Sequence, residues 1–293
     1  MISFSHPWMA FCTPRARVAA PAILLLCVCC TGCVRLGHEL TQGPLPEGAP
    51  SPEEILTDLA ANDQAIERFS ATGAFTLVSP ERPGTDRFRQ SQILFRKPAD
   101  LHIVGRGPLL TTVFRLTCVG EEFLIEFPTE KEYYYQLEGE QFESVPFSVS
   151  PSDVAREMFL PEDWAALPIR RAQLGSFDSA TGAVTLDILE PGFPRAWVKR
   201  RLTLTGTPWI VTRSERFDRK GRVLAVVSKS DYRELDGIRF PARVSAEFPG
   251  EQTQMDFDMR RIEINGPLDD DTFHVQALKT RLMQSVAHKP IEH

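Results

Sequence analysis

From about residue 70 to residue 264, apolar residues recur at every second position, which is the period of β-strands that bury one face. The clearest run is 238–248, in which each even-numbered residue is apolar. About ten or eleven such runs, joined by turn signals such as those at 218–221 and 234–237, predict a mainly β fold with one large antiparallel sheet. The pair Arg260–Arg261 interrupts the alternation and predicts a β-bulge.

Two stretches follow the helical period instead. Ser51 is a typical N-cap before Pro52 and two glutamates, and an apolar stripe continues this first helix to about Arg68. In 150–168, prolines bound two short helices. The apolar side of this insertion consists of Val154, Ala155, Met158, Phe159, Trp164 and Leu167.

A single sheet of this many strands curls, so we predict an unclosed, half-barrel-like sheet with one face towards water. The leading helix, 52–69, and the helical insertion, 152–167, are available to cover the concave face. If they fill the concavity completely, the result is an inert core; if they fill it partly, the result is an apolar pocket. The predicted lid and cavity residues are Val154, Met158, Phe159 and Trp164.

The N-terminal segment has the layout of an export signal. Arg15 and Arg17 precede an apolar run of 11 residues, 18–28, which is too short to span a membrane. Thr31–Gly32–Cys33 resembles the lipobox of bacterial lipoproteins, although Cys30 stands where leucine is usual. The resemblance implies cleavage after residue 32 and a covalent lipid on Cys33. The alternative is an ordinary signal peptide that leaves Cys33 as a free thiol.

The sequence divides into four predicted segments, and cleavage would remove the first of them. We expect a lipoprotein signal peptide over 1–32, a flexible tether rich in Pro and Gly over 33–51, a β domain over 52–278 and a C-terminal tail over 279–293. The first 32 residues contain two arginines and no acidic residue. Removing them from a chain of 293 residues with 33 basic and 39 acidic residues leaves 261 residues and a net charge of −8. This charge argues against nucleic acid as a partner.

The mature sequence offers little reactive chemistry. It contains no HExxH, GxSxG, Walker or GxGxxG pattern. Cys118 is expected in the core, and His102, in the middle of a strand, is expected at the surface. Asp269–Asp270–Asp271 fits a solvated turn better than a cation site. We therefore expect no catalytic residue, no metal and no cofactor other than the lipid anchor.

One predicted turn is unusually apolar. The segment 105–112, GRGPLLTT, lies between two predicted strands and places Leu109 and Leu110 directly after Gly and Pro. These leucines either fold back onto the sheet or form an exposed tip that contacts lipid or a partner.

The order of these segments resembles the LolA/LolB-like superfamily of lipoprotein carriers and receptors, over roughly 52–278. The resemblance rests on the segments FSATGAFTL, FRKPADLHIVGRGPLLTTVFRLTCVGEEF and FDRKGRVLAVVSKSDYRELDGIRFPARVSAEF. It implies an unclosed antiparallel β-barrel, capped by helices, that holds acyl chains of lipoproteins in an apolar cavity. The GPLL turn is similar to the loop by which the receptor LolB inserts into membrane, which assigns that role to Leu109 and Leu110.

The sequence thus predicts a monomeric, non-catalytic protein that faces the periplasm from a lipid anchor. Val34, where aspartate would signal retention at the inner membrane, favours the outer membrane by the same resemblance. The expected function is binding of acyl chains or lipoproteins for transport or insertion. The alternative is an interaction or sensor protein of the envelope that fills its cavity with its own side chains.

Overall fold

The computed structural model describes residues 47–80, 82–120, 122–136, 149, 151–159, 163–193 and 195–287. The predicted signal peptide, the lipidation of Cys33 and most of the predicted tether lie outside these residues. All described residues belong to one unit, Pro44–His293. None of the described helices has the length and apolar character needed to cross a membrane.

The described residues form thirteen strands and three α-helices, in agreement with the predicted mainly β fold. The helices are α1 (Pro52–Gln64), α2 (Pro151–Met158) and α3 (Val275–Ala287). The strands are β1 (Arg68–Ser79), β2 (Arg82–Arg96), β3 (Asp100–Arg106), β4 (Thr112–Val119), β5 (Glu122–Phe127), β6 (Glu132–Gln136), β7 (Ala172–Asp178), β8 (Ala183–Glu190), β9 (Trp197–Thr205), β10 (Ile210–Phe217), β11 (Val223–Leu235), β12 (Ile238–Phe248) and β13 (Thr253–Ile264).

All strands join one antiparallel sheet in the order β6-β5-β4-β3-β2-β1-β13-β12-β11-β10-β9-β8-β7. The chain therefore makes two meanders, β1–β6 and β7–β13, which meet where β1 pairs with β13. No strand pairing joins β6 to β7 among the described residues, so the sheet is unclosed, as predicted. The segment that carries α2 connects these two edges of the sheet.

The predicted bulge lies at the pairing of the two meanders. Thr72 pairs with Arg261 and Gly73 pairs with Met259, so that Arg260 is the extra residue. Gly73 is required at this position, because a Cβ there would lie 1.9 Å from the carbonyl oxygen of Asp258.

Helix α1 begins as predicted but is shorter than predicted. The Ser51 hydroxyl accepts a hydrogen bond from the Glu54 amide at 3.1 Å, and the Glu54 carboxylate accepts one from the Ser51 amide at 2.7 Å. The helix ends at Gln64 rather than near Arg68, because Ile66 and Phe69 are buried in the core of the sheet. The side-chain amide of Asn265 stabilises this junction by accepting hydrogen bonds from the Glu67 and Arg68 amides at 2.9 and 3.3 Å.

The sheet curls around one apolar face. Phe75 on β1 and Phe114 on β4 are separated by two strands, yet their ring centroids are 5.7 Å apart. In a flat sheet these strands would lie about 14 Å apart, so the rings meet because the sheet is curved. Helix α1 covers β7–β10 on this concave face, and α2 contacts β4, β11 and β12 from both meanders.

The convex face is partly covered, which the sequence did not predict. Helix α3 and the short helical turn Asp270–Phe273 lie against β3, β4 and β5. His102 is therefore buried rather than at the surface. The domain boundary predicted after residue 278 falls inside α3, whose Lys279 ammonium lies 3.5 Å from the centroid of the Tyr135 ring.

Candidate functional site

The concave face of the first meander carries a cluster of phenylalanines. The rings of Phe75 and Phe257 stack with centroids 4.4 Å apart, and Phe88 contacts both Phe75 and Phe114 at 5.7 and 5.0 Å. These residues come from β1, β2, β4 and β13, where the period of two places them on one face. Aromatic pairs at these distances give the concave face a rigid apolar wall.

An apolar cavity of about 70 Å³ lies between this wall and α2. Its lining includes Phe75, Phe88, Phe114, Ile125, Val154, Met255 and Phe257, with Asp86 as the ionisable member. Binding pockets for small molecules usually measure about 300–1,000 Å³, so side chains of the protein fill most of the concavity. A ligand the size of an acyl chain can enter only if some of these side chains move.

The predicted lid residues lie on two parts of the concave face. Val154, Met158 and Phe159 are buried in the same core cluster as the phenylalanines. Trp164 packs instead with α1 and the strands of the second meander. Of the two predicted short helices, only α2 is an α-helix among the described residues; Asp163–Ala166 and Trp164–Leu167 are joined by turn hydrogen bonds.

A buried carboxylate fixes α2 to the second meander. Glu157 has a side chain that is 1% exposed and accepts hydrogen bonds from Arg200 on β9 at 3.0 and 3.4 Å. The Nε atom of Arg216 on β10 lies 2.9 Å from the same carboxylate, as an ion pair rather than an aligned hydrogen bond. Arg200 also donates to the Ser214 hydroxyl at 2.8 Å. One face of α2 is therefore held by apolar packing and the other by buried charge.

A second cavity, of about 110 Å³, lies beyond Phe159 between α1, α2 and the strands β9–β12. Apolar residues such as Phe69 and Met259 line it together with Glu157, Arg200, Lys229 and Arg239. The Phe159 ring, which lines this second cavity, has its centroid 6.4 Å from Phe69 of the same lining and 5.0 Å from Phe257 of the first cavity.

The two leucines of the GPLL turn are exposed at the end of the β3–β4 hairpin. Leu109 is 98% exposed and Leu110 is 57% exposed. Both residues have positive φ, 58° and 62°. This left-handed conformation costs about 1–2 kcal/mol for a residue with a side chain. A hydrogen bond from the Gly107 amide to the Thr111 carbonyl, 2.8 Å, closes the loop around them.

Strand β4 connects this leucine tip to the apolar cavity. Val113 and Phe114, which follow the loop on β4, pack against the core cluster, and Phe114 lines the cavity. The Phe114 ring lies directly over the backbone of Gly105, where a Cβ would approach it to 2.1 Å. Strand β4 thus leads along the chain from the exposed leucine tip, through Val113 and the half-buried Phe114, to the cavity.

Two buried ionisable groups of the first meander, Cys118 and His102, are uncharged near neutral pH. Burial raises the pKa of the Cys118 thiol to about 12, so the thiol is protonated at neutral pH. Burial and then the Arg115 guanidinium lower the pKa of His102 to about 4, and its Nδ1 lies 2.8 Å from the Thr117 hydroxyl. Asp269 caps the Asp271 amide, and Asp270 pairs with Arg96. Among the described residues, no group of three His, Cys, Asp or Glu side chains could hold a metal ion.

The sequence of this chain has no recognisable relative by two comparisons. No protein-family model matches it. No curated protein matches it either.

Solved structures with the same architecture do exist. A domain of an outer membrane lipoprotein-sorting protein from Vibrio parahaemolyticus superposes with a TM-score of 0.50 at 13% identity, over 77% of this chain and 97% of that one. A LolA superfamily protein from Nitrosomonas europaea gives 0.50 at 14% identity, over 78% and 100% of the two chains. A DUF1329 family protein from Desulfovibrio piger gives 0.51 at 16% identity, again over 78% and 100%. The predicted resemblance is confirmed at the level of the fold: the chain has the LolA/LolB-like fold.

Proposed function

We propose that this protein is a non-catalytic lipoprotein of the bacterial envelope that binds an acyl chain or a lipoprotein under α2 and helps to move or insert it. It is anchored in the outer membrane through a lipid on Cys33 and faces the periplasm. The observation that carries the proposal is that strand β4 joins the exposed leucine tip, 98% exposed at Leu109, to an apolar cavity under α2 that Phe114 of the same strand lines. The fold, shared with a lipoprotein-sorting domain, supports it.

Binding requires an exchange of apolar contacts rather than an empty pocket. Val154, Met158 and Phe159 bury their side chains against the concave face, each contributing about 1.5–3 kcal/mol. An acyl chain that takes their place contributes about 0.8 kcal/mol for each buried methylene. Eight methylenes give about 6 kcal/mol, which is similar to the free energy of apolar packing that these three side chains would lose. The exchange can therefore proceed in both directions, as loading and release of a cargo require.

The tether to the proposed anchor joins the domain at one end of the sheet, and the leucine tip lies at the opposite end. Gly48 and Pro50 line a surface cleft with the β7–β8 and β9–β10 turns, whereas the tip is at the other end of the strands. Residues 33–50, if extended, span at most about 60 Å. This exceeds the length of about 40 Å expected for the 12-residue strand β1. The tip can therefore reach the membrane that holds the anchor.

Photo-crosslinking tests this function at a defined position. A photo-reactive side chain at Met255, which lines the apolar cavity, should capture alkyne-labelled acyl chains in cells that express the protein. The matched control is Gln254, the preceding residue, which is exposed on the other face of the same strand. Label at residue 255 and none at 254 supports the proposal. No label at 255, or equal label at both positions, would contradict it.

The small cavity favours one other function. A protein whose concavity holds only small cavities, of about 70 and 110 Å³, can serve as an interaction or sensor module without cargo. In that case a photo-reactive side chain at Met255 should capture no acyl chain. Photo-reactive side chains in the exposed loops should still capture protein partners.

A further inference from the structure

A second apolar tip lies on the second meander. Phe193, in the β8–β9 loop, is 88% exposed, and Ile169, directly before β7, is 48% exposed. Two hydrogen bonds hold the neighbouring segments together. Arg171 Nε donates to the Leu189 carbonyl at 2.8 Å, and Arg219 in the β10–β11 turn donates to the Phe193 carbonyl at 2.6 Å.

Basic residues surround this tip, although the whole chain is acidic. The segments 169–171, 190–195 and 218–222 contain six basic and two acidic residues, in a chain of net charge −6. Both acidic residues are already neutralised: Glu190 pairs with Arg171 and Lys199, and Asp218 pairs with Arg222 at 2.7 Å. The exposed basic side chains are Arg170, Arg195, Arg219, Lys220 and Arg222.

This basic tip and the leucine tip lie at the same end of the sheet. Strands β1 and β3 run in one direction, and the antiparallel order through β13 gives β12, β10 and β8 that direction too. The C-terminal ends of β3, β8 and β10 therefore share one end of the sheet. The leucine tip follows β3, Phe193 follows β8, and Arg219 follows β10, so all three loops lie at this end of the sheet.

We infer that the basic tip, formed by Ile169, Phe193 and the surrounding arginines and lysine, is a docking site for the surface of an anionic phospholipid bilayer. The aromatic ring enters the boundary between headgroups and acyl chains, while the long basic side chains extend to the phosphates. Each basic residue near an anionic surface contributes about 1 kcal/mol. The inference goes beyond the proposed function, because it adds a second contact loop and specifies the charge of the lipid, and it does not depend on binding of an acyl chain.

Vesicle flotation tests this inference with the chain from Pro44 onward, which forms one unit with its own core and has no anchor. Vesicles of phosphatidylcholine are compared with vesicles to which phosphatidylglycerol is added. We expect the partition coefficient to be about 100-fold higher on the anionic vesicles at about 0.1 M salt, and this preference to disappear near 1 M salt. Equal partition on both kinds of vesicle at low salt would overturn the inference.

Substitutions at the charged and at the aromatic residues of the basic tip show whether this site causes the binding to anionic vesicles. Arg195→Gln with Lys220→Gln should lower partition onto anionic vesicles about 30-fold and leave partition onto neutral vesicles unchanged. Phe193→Ser should lower partition onto anionic vesicles about tenfold, and Phe193→Trp should restore it. Arg243→Gln with Arg260→Gln, which removes two charges from exposed residues elsewhere, is the control and should have less than a threefold effect.

All of these positions are exposed, so thermal unfolding should be the same in every variant. If the control pair lowers binding as much as the variant at the tip does, net charge rather than this site attracts the protein, and the inference fails. If the wild type fails to bind the pure lipid vesicles and binds only after membrane proteins are incorporated into them, the site binds a protein and the inference also fails.

Discussion

Replacing Leu109 by Asn and Leu110 by Gly should weaken binding of the chain from Pro44 onward to neutral vesicles at least 100-fold. Each leucine that enters the bilayer contributes about 1.5–3 kcal/mol, and every 1.4 kcal/mol changes the partition coefficient tenfold. The same double variant should increase the free energy of unfolding by about 1–2 kcal/mol. Asn and Gly adopt the positive φ of these two positions, 58° and 62°, with much less strain than leucine.

A loss of vesicle binding together with a gain in stability distinguishes a tip that contacts the membrane from a turn with a purely structural role. A structural turn would lose stability or remain unchanged, and its substitution would not alter vesicle binding. The control is Met283→Ser on α3, a residue that is 42% exposed and lies on the convex face. Partition coefficients come from flotation on neutral vesicles, and stabilities come from urea denaturation. Equal vesicle binding by the double variant and the wild type would contradict the assigned role of the two leucines.

Replacing Glu157 by Leu should lower the free energy of unfolding by about 3–5 kcal/mol. The substitution removes the buried carboxylate that Arg200 and Arg216 share beside α2, and these side chains are only 10% and 23% exposed. Urea denaturation of the chain from Pro44 onward measures the loss. Asp153→Asn is the matched control on the same helix, because Asp153 is 38% exposed and 3.7 Å from Arg216. Its loss should stay below about 1 kcal/mol.

A triple variant distinguishes loss of the ion pair from loss of packing. Glu157→Leu combined with Arg200→Met and Arg216→Met removes all three charges and keeps much of the volume. We expect it to be more stable than the Glu157→Leu single variant, because an apolar replacement of a complete buried ion pair is often nearly neutral. A single variant that loses no more stability than Asp153→Asn would show that Glu157 does not hold α2 in place.

The strand pattern predicted the fold because each strand buries only one face. Strand β12 spans Ile238–Phe248, the range with the clearest alternation, and its burial alternates in the same way. The bulge at Arg260 was also predicted, because it interrupts a regular local pattern. The pattern around Leu109 left two alternatives open, and the structure shows the exposed one. Phe193 carries the same kind of signal, an apolar residue in a turn rich in Pro and Gly, and the sequence interpretation missed it.

Features that depend on distant residues could not be predicted. Glu157 has no local signal, because its partners Arg200 and Arg216 lie on strands of the other meander. The burial of His102 depends on α3, which is far away along the chain. The volume of the cavity depends on how closely Val154 and Phe159 pack against residues such as Phe257. The spacing of apolar residues along a strand does not determine this distance.

The most direct test of acyl binding is mass spectrometry of the protein extracted gently from the membranes of its own cells. We expect lipid with at least one acyl chain to accompany the folded protein non-covalently and in near-equal amount. The same spectrum shows the covalent lipid on the N-terminal peptide that begins at Cys33, so anchor and cargo are counted separately. Protein that carries its anchor but no other lipid, from every preparation, would contradict the account and favour a concavity permanently filled by Val154, Met158 and Phe159.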